Sequence, residues 1–380
     1  MTRLTSRRAF VAAVGVAAVS GCLGSRQSGG SGGGPTDTVE PTSEPQPTAT
    51  DEPEAGVPPP TADSRLVLPM TPAEISDRAV SGGPPKDGIP SIDDPSFVSA
   101  DSVADRFEPG DPVFGLARGG EVKAYPQAIL VLHEICNDVV DGTPVSVTYC
   151  PLTGTAMGFE RGETTFGVSG RLVNNNLIMY DRGTEAWWPQ VLATSLPGPW
   201  NEAPGIKSLS EFRLVWTTWE KWTAKHPDTQ VLSFDTGFAK NYSRDPYGSY
   251  NPREGYYADG ASPMFQALNT DDRLAPKRVV IGTRTAEGAA AFDKRTLRET
   301  KLLEGDLAGS PTVAVYDPEL DTGYVFRNPD GRSFEYQNGR VADGSGDTYA
   351  PSELPAEQLY AFDAMWFAWS GFYPETALYV

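Results

Sequence analysis

The spacing Trp-x-x-Trp-x-x-x-x-Pro-x-Thr occurs twice in this chain. It appears as Trp219, Trp222, Pro227 and Thr229, and again as Trp366, Trp369, Pro374 and Thr376, each member displaced by 147 positions. Two earlier stretches also correspond: Pro112–Arg118 parallels Val279–Arg284, and Gly142–Pro151 matches Gly309–Pro318 at a displacement of 167. Matched spacings of large apolar residues demand matched buried positions, so the pattern predicts one fold used twice rather than a single large core. The displacements differ by 20, which places an insertion in the first copy at roughly Leu172–Gln190. The expected organisation is a lead-in at 65–85, copy one at 86–238, a connector at 239–273 and copy two at 274–380.

Within each copy the periodicity predicts a strand-turn-strand (Val113–Ala124; Val279–Phe292) followed by a helical stretch (Gln127–Val139; Lys294–Glu304). β-Branched strands follow around Val145–Tyr149 and Thr155–Phe159, and an aromatic helix (Phe212–Lys225; Glu357–Gly371) ends before Pro227 or Pro374. The fold class expected is α+β, strand-rich, with two tandem copies of one small α+β domain packed together. Trp216, Trp219 and Trp222 at i, i+3 and i+6 then read as core residues of that helix.

The first residues carry no fold. Ser6-Arg7-Arg8-Ala9-Phe10-Val11 reads as a twin-arginine export start, followed by a short apolar run and Val19-Ser20-Gly21-Cys22, a lipobox pattern. Residues 1–21 are expected to be a removed signal and Cys22 the lipidated first residue of the mature chain. From 22 to 64 the chain is rich in Gly, Pro, Ser and Thr and reads as a disordered acidic tether. Its root-mean-square reach is about 35 Å at roughly 5–6 Å × √n. The expected location is the outer, extracytoplasmic face of the cell membrane, held there by the lipid.

With 50 Asp+Glu against 31 Lys+Arg the formal charge is −19, which disfavours nucleic-acid phosphates as partners. Only nine of the basic residues are Lys. Acid excess with little Lys fits adaptation to concentrated salt, where the Debye length falls to about 3 Å at 1 M.

If the copies share a fold, polar residues found in only one of them become candidates for chemistry. Copy one alone has His133, Glu134, Cys136, Asn137 and Asp138, then Cys150, then Asn176, Tyr180, Asp181 and Arg182. Copy two has Thr300-Lys301 opposite His133-Glu134 and Asp317 opposite Cys150, so it reads as degenerate at the site. Cys136 and Cys150 admit three readings: a disulfide, two free thiols, or metal ligation together with His133. An oxidising compartment favours the bridge, which would add roughly 3 kcal/mol for a loop of about 15 residues. Cys150 with His133, and Asp138 as a third member, supplies the residue types of a thiol hydrolase.

Several segments resemble the family catalogued as domain of unknown function 3179. They are Asp87-Gly88-Ile89-Pro90, His133-Glu134-Ile135-x-Asn137-Asp138, Thr148-Tyr149-Cys150-Pro151-Leu152-x-Gly154-Thr155-Ala156, Phe166-Gly167-Val168-Ser169-Gly170, Met179-Tyr180-Asp181-Arg182 and Pro246-Tyr247-x-x-Tyr250. The resemblance implies no activity. Relatives usually read Cys-Pro-x-Cys where this chain has Thr153, so a Cys-x-x-Cys dithiol is absent unless Cys136 supplies the second sulfur.

The function expected first is a membrane-tethered small-molecule or metal-binding module. Its binding residues would be Glu134, Asn137, Asp138, Asn176, Tyr180, Asp181 and Arg182, and any metal would sit on His133, Cys136 and Cys150. The alternatives are a thiol-dependent hydrolase or redox enzyme built on Cys150 with His133, and a cell-surface interaction scaffold. The sequence indicates no particular cofactor and no oligomeric state.

Overall fold

The computed structural model describes residues 56–380, so the expected signal, Cys22 and the tether up to residue 55 lie outside the described residues. The body is strand-rich, 40% strand against 11% helix, which bears out an α+β class weighted toward β. No helix among the described residues is long and apolar enough to cross a membrane.

Two sheets form between Phe97 and Leu232. One runs in the order Val215–Thr218, Pro112–Arg118, Glu121–Pro126, Gln230–Leu232, Phe97–Ser99, with Gln230–Leu232 parallel to its neighbour Glu121–Pro126. The other runs Glu211–Phe212, Thr155–Glu160, Thr143–Cys150, Ile135–Val140. Between Val279 and Tyr379 a sheet of order Ala361–Met365, Val279–Arg284, Ala289–Asp293, Ala377–Tyr379 likewise has one parallel pair, Ala289–Asp293 with Ala377–Tyr379. Beside it lies the sheet Leu302–Leu307, Ser310–Asp317, Thr322–Arg327, Gln358–Leu359.

The tryptophan motif has the same physical content at both places. Trp222 lies on the helix Trp219–Lys225 and packs on the strand at Gly115, where a Cβ would stand 2.2 Å from its ring. Its indole N–H donates to Thr229 Oγ1 at 2.9 Å. Trp369, on the helix Trp366–Phe372, meets Gly282 at the same 2.2 Å and donates to Thr376 Oγ1 at 2.9 Å. The spacing therefore encodes a large ring, the bare backbone it rests on, and the hydroxyl that satisfies its only donor.

The stretch expected as an insertion, Leu172–Gln190, lies within a sheet that starts earlier, at Phe166. Phe166–Val173, Asn176–Asp181 and Trp187–Pro189 make a separate sheet with Val80–Ser81. The largest core cluster joins this sheet to the C-terminal half, with Cys150, Met179 and Trp188 in the same buried set as Trp366, Trp369 and Phe372. The halves are also tied by hydrogen bonds, from Met365 N to Thr153 O at 2.9 Å and from the Arg213 guanidinium to Ala361 O and Gly323 O. Arg284 and Glu211 form a buried ion pair at 2.6 Å across the same seam.

Two helix expectations are corrected. Gln127–Val139 is a one-turn helix, Gln127–Leu130, followed by the strand Ile135–Val140, and the later stretch is likewise Lys294–Thr300 and then Leu302–Leu307. The strand is covered on both faces, so Ile135 to Asp138 are all buried and no alternation marks it as β. The break sits at Glu134 (φ 60°) and, at the matching place, Lys301 (φ 71°). The second helix is shorter than expected as well. Trp216 lies on the strand Val215–Thr218 and packs edge-on against Phe114, Tyr149 and Tyr250, so only Trp219 and Trp222 are helical.

Candidate functional site

Cys150 ends its strand and is followed by a turn through Thr153 and Gly154 (φ 60°). A buried polar web fixes that turn. Asn176 Nδ2 donates to Thr153 Oγ1 at 3.1 Å and to Gln190 Oε1 at 3.0 Å, Thr155 Oγ1 donates to Gln190 Oε1 at 2.6 Å, and Gln190 Nε2 donates to Thr148 Oγ1 at 2.8 Å. Each member is satisfied, so Asn176 positions the Cys150 turn rather than waiting for a ligand.

The thiol sits against Asn175 O at 3.5 Å and is 1% exposed. Burial pushes its pKa up to about 11, and the nearby Glu134 carboxyl adds to the rise. Glu134 stands where the backbone turns left-handed between helix and strand, with its carbonyl accepting from Tyr149 N at 2.7 Å. Because Lys301 repeats that φ, the conformation belongs to the architecture, and the carboxyl is what distinguishes Glu134. Burial alone raises this carboxyl to about 8, with no cation or donor among the described residues to offset it.

Lys277 completes the cluster. Its backbone is pinned by Asp259 O and by the Arg253 guanidinium, at 3.0 and 2.9 Å. Its side chain is fully buried and its Nζ has no hydrogen-bond partner among the described residues. It lies over the rings of Tyr256, 3.0 Å from the centroid, and Phe367, at 4.6 Å. Burial drives its pKa down to about 7, against a smaller opposing pull from Cys150.

Tyr247 and Tyr256, half-buried on the connector, close the cluster. Tyr256 donates to Leu152 O at 2.8 Å. Tyr247 is raised chiefly by burial and then by Glu134 and Cys150, which puts its phenol in their company. Cys150 thus feels Glu134 on one side and Lys277 on another, near Tyr247 and Tyr256, and burial disfavours the charged form of each of the three.

The other expected site residues lie elsewhere. His133 donates from Nδ1 to Pro90 O at 2.7 Å, so its Nε2 accepts from Tyr242 at 2.7 Å, and burial lowers its pKa. Both ring nitrogens are in use and the imidazole anchors the connector, so the Cys150 with His133 pairing is corrected. Asp138 is held by Lys123 Nζ at 2.9 Å and Tyr125 Oη at 2.6 Å, which removes it as a third member. Asn137 donates to Asp93 Oδ1 and Phe166 O, and accepts from Ser146 Oγ and Phe166 N.

Tyr180 donates to Asp87 at 2.5 Å and Arg182 pairs with Asp87 and Asp93 at 3.2 and 3.3 Å, forming a surface network. Asp181 accepts from Trp188 Nε1 at 2.8 Å and Thr184 Oγ1 at 2.6 Å, closing a turn. Of the expected binding residues, Glu134 bears on the Cys150 thiol through its charge and Asn176 holds its turn.

The disulfide and metal expectations are corrected too. Cys136 pairs across the sheet with Val147, three residues from Cys150, a separation of about 10 Å at 3.3 Å per residue. Odd spacing also puts the sulfurs on opposite faces, in different core clusters, and both thiols are free. A bridge needs Cα atoms within about 7 Å, so Cys136 does not stand in for the sulfur missing at Thr153. His133, Cys136 and Cys150 therefore cannot share one ion, and among the described residues no group of three His, Cys, Asp or Glu side chains is placed to hold a metal.

Lys277, Tyr247 and Tyr256 escape the copy-by-copy comparison, because the tyrosines lie in the connector and Lys277 opens copy two. The available signal was Lys277 itself, a Lys beside Arg278 at the mouth of an apolar strand in a chain with nine Lys.

This site sits in a strand-rich α+β body of two similarly ordered halves. The family model described as "Protein of unknown function (DUF3179)" matches residues 86–376, and the chain belongs to that family. No curated protein and no solved structure matches the chain.

Proposed function

We propose that this protein is a membrane-tethered extracytoplasmic module that binds a small molecule at Cys150, Glu134 and Lys277. The body is two packed copies of one domain, 86–238 and 274–380, a reading supported by the shared strand orders and by the paired Trp–Gly–Thr contacts. Residues 1–21 are removed on export, Cys22 carries lipid and 22–64 hold the body off the membrane.

The observation that carries the binding reading is a fully buried amine with no hydrogen-bond partner among the described residues, near a thiol that also feels the largely buried Glu134 carboxyl. A ligand that accepts from Lys277 Nζ and hydrogen-bonds with the Glu134 carboxyl would satisfy both. Tyr247 and Tyr256 are the groups that must yield for it to enter.

The test uses a Cys22→Ala chain purified from its native host, which the anchoring account places in the soluble fraction. Mass spectrometry of the material released on denaturation should show one compound at near-stoichiometric amount, absent from a Glu134→Gln/Lys277→Met variant. An identical released profile from both would sink the binding reading, and retention of Cys22→Ala in salt-washed membranes would sink the lipid anchor.

The second reading is a thiol-dependent enzyme. It is favoured by the burial of an amine, unpartnered among the described residues, that feels the Cys150 thiol; the thiol keeps its proton at rest, and a substrate that opens the site must lower its pKa before Lys277 can act as base. In that reading Lys277, not His133, is the partner of Cys150.

A further inference from the structure

A cleft of about 450 Å³ opens along the seam, and its two walls differ in chemistry. One carries Pro112, Gly154, Trp216 and Tyr250; the other carries Arg278, Lys294, Arg298, Asp321 and Asp363. Facing residues occupy matching places in the two halves: Pro112 with Val279 and Gly154 with Asp321 at a displacement of 167, and Trp216 with Asp363 at 147. The cleft therefore lies where like strand ends meet, with Pro112, Trp216 and Tyr250 as its apolar part and ion pairs, Arg253 with Asp259 among them, around it.

The ionic wall is not required by the fold. In the first half the places of Lys294 and Arg298 are held by Gln127 and Val131. There the connector covers the surface: Gln127 Nε2 donates to Asp245 at 2.7 Å and Tyr250 packs on Trp216, ring centroids 5.3 Å apart. In the second half, buried pairs take over, Arg278 with Asp293 at 2.5 Å and Lys294 with Asp363 at 2.5 Å, although apolar packing is often as stable as such pairs.

Outside them, Arg298 pairs with Asp321 at 2.7 Å and stays half-exposed. Arg295 is exposed and has no ion-pair partner among the described residues. Five cations thus line the cleft, four of them paired with Asp259, Asp293, Asp363 and Asp321, so that Arg295 is left as an unmatched positive charge in a chain whose net charge is −19. Such a local reversal of sign focuses anions into the cleft.

We propose that this cleft is a second binding site, for a small organic carboxylate whose charged group meets Arg295 and Arg298 while its apolar body lies against Trp216 and Pro112. The two arginines stand three apart on one helix and so share a face. The inner pairs hold the wall rigid and Arg295 supplies the unmatched charge. The site is independent of the Cys150 cluster, and copy two is then specialised rather than degenerate.

The probes are 2-naphthoate and its uncharged counterpart 2-naphthamide, titrated by ligand-observed NMR against the full chain carrying Cys22→Ala. Saturable binding of the acid is expected, with the amide at least roughly tenfold weaker. Arg295→Glu/Arg298→Glu should weaken the acid by a similar factor while Cys150→Ala and Lys277→Met leave it unchanged, and 1 M salt should reduce the acid's advantage. Trp216→Leu, with its fold checked by circular dichroism, should weaken acid and amide alike. Equal affinity for acid and amide, indifference to the charge reversal, or no saturable binding of the acid would each overturn the proposal.

Discussion

At pH 7.5, Lys277→Met is expected to stabilise this protein by about 2 kcal/mol, read from urea unfolding. Most core substitutions do the opposite. The expectation follows from an amine that is fully buried without a hydrogen-bond partner among the described residues. Two rings face it, and a desolvated cation over a ring gains only about 2 kcal/mol, less than the several kcal/mol needed to bury an ion. Met fills a similar volume and needs no partner. A protein that keeps such a group against its own stability uses it, and a clear loss of stability in Lys277→Met would show that the amine has a partner and that the site is complete without a ligand.

Gly282→Ala and Gly115→Ala are expected to cost about 3 kcal/mol each, toward the upper end for overpacking, because the added Cβ would stand 2.2 Å from Trp369 or Trp222. Neither ring can retreat without giving up its hydrogen bond to Thr376 or Thr229. The cost should be non-additive with the tryptophan: in a Trp369→Leu background, Gly282→Ala should cost under about 1 kcal/mol. Full additivity would mean that the Trp–Gly contact does not drive the repeated spacing.

That spacing explains why so much of the fold was legible in the sequence. Trp222, Gly115 and Thr229 are three ends of one contact, so their separations survive in the chain as a readable pattern. The strand Ile135–Val140 looks helical in the sequence because it is buried on both faces and shows no alternation. Trp216 was assigned to the helix because a three-residue spacing from Trp219 looks helical, although the chain turns from strand to helix between them.

The site was less legible, and for a different reason. Comparing one copy with the other finds groups that differ between equivalent places, which brought out Glu134 and Cys150. It is blind to the connector, and so to Tyr247 and Tyr256. It also gathered residues that are neighbours in sequence but point apart, as Asn137 and Asp138 do from adjacent positions on one strand. The degenerate reading of copy two rested on the places of His133, Glu134 and Cys150, whereas its distinctive charges line a different surface.

Glu134 and Lys277 are buried with their charged forms disfavoured, and the pH dependence of stability tests this most directly. Glu134, raised from 4.5 to about 8, contributes stability that is full below pH 4.5 and lost as pH rises through 8. Lys277, lowered from 10.5 to about 7, contributes stability that is present above pH 10.5 and lost as pH falls through 7. Each swing is on the order of 5 kcal/mol at about 1.4 kcal/mol per unit. Urea unfolding of the parent and of Glu134→Gln/Lys277→Met should be compared from pH 5 to pH 10 in 1 M salt, so that the common acidic surface cancels in the difference. The predicted result is a parent profile with a minimum between pH 7 and 8 relative to the variant, rising on both sides. A difference that is flat with pH, or one with its maximum in that window, would show that the two groups are paired or solvated and would contradict the account.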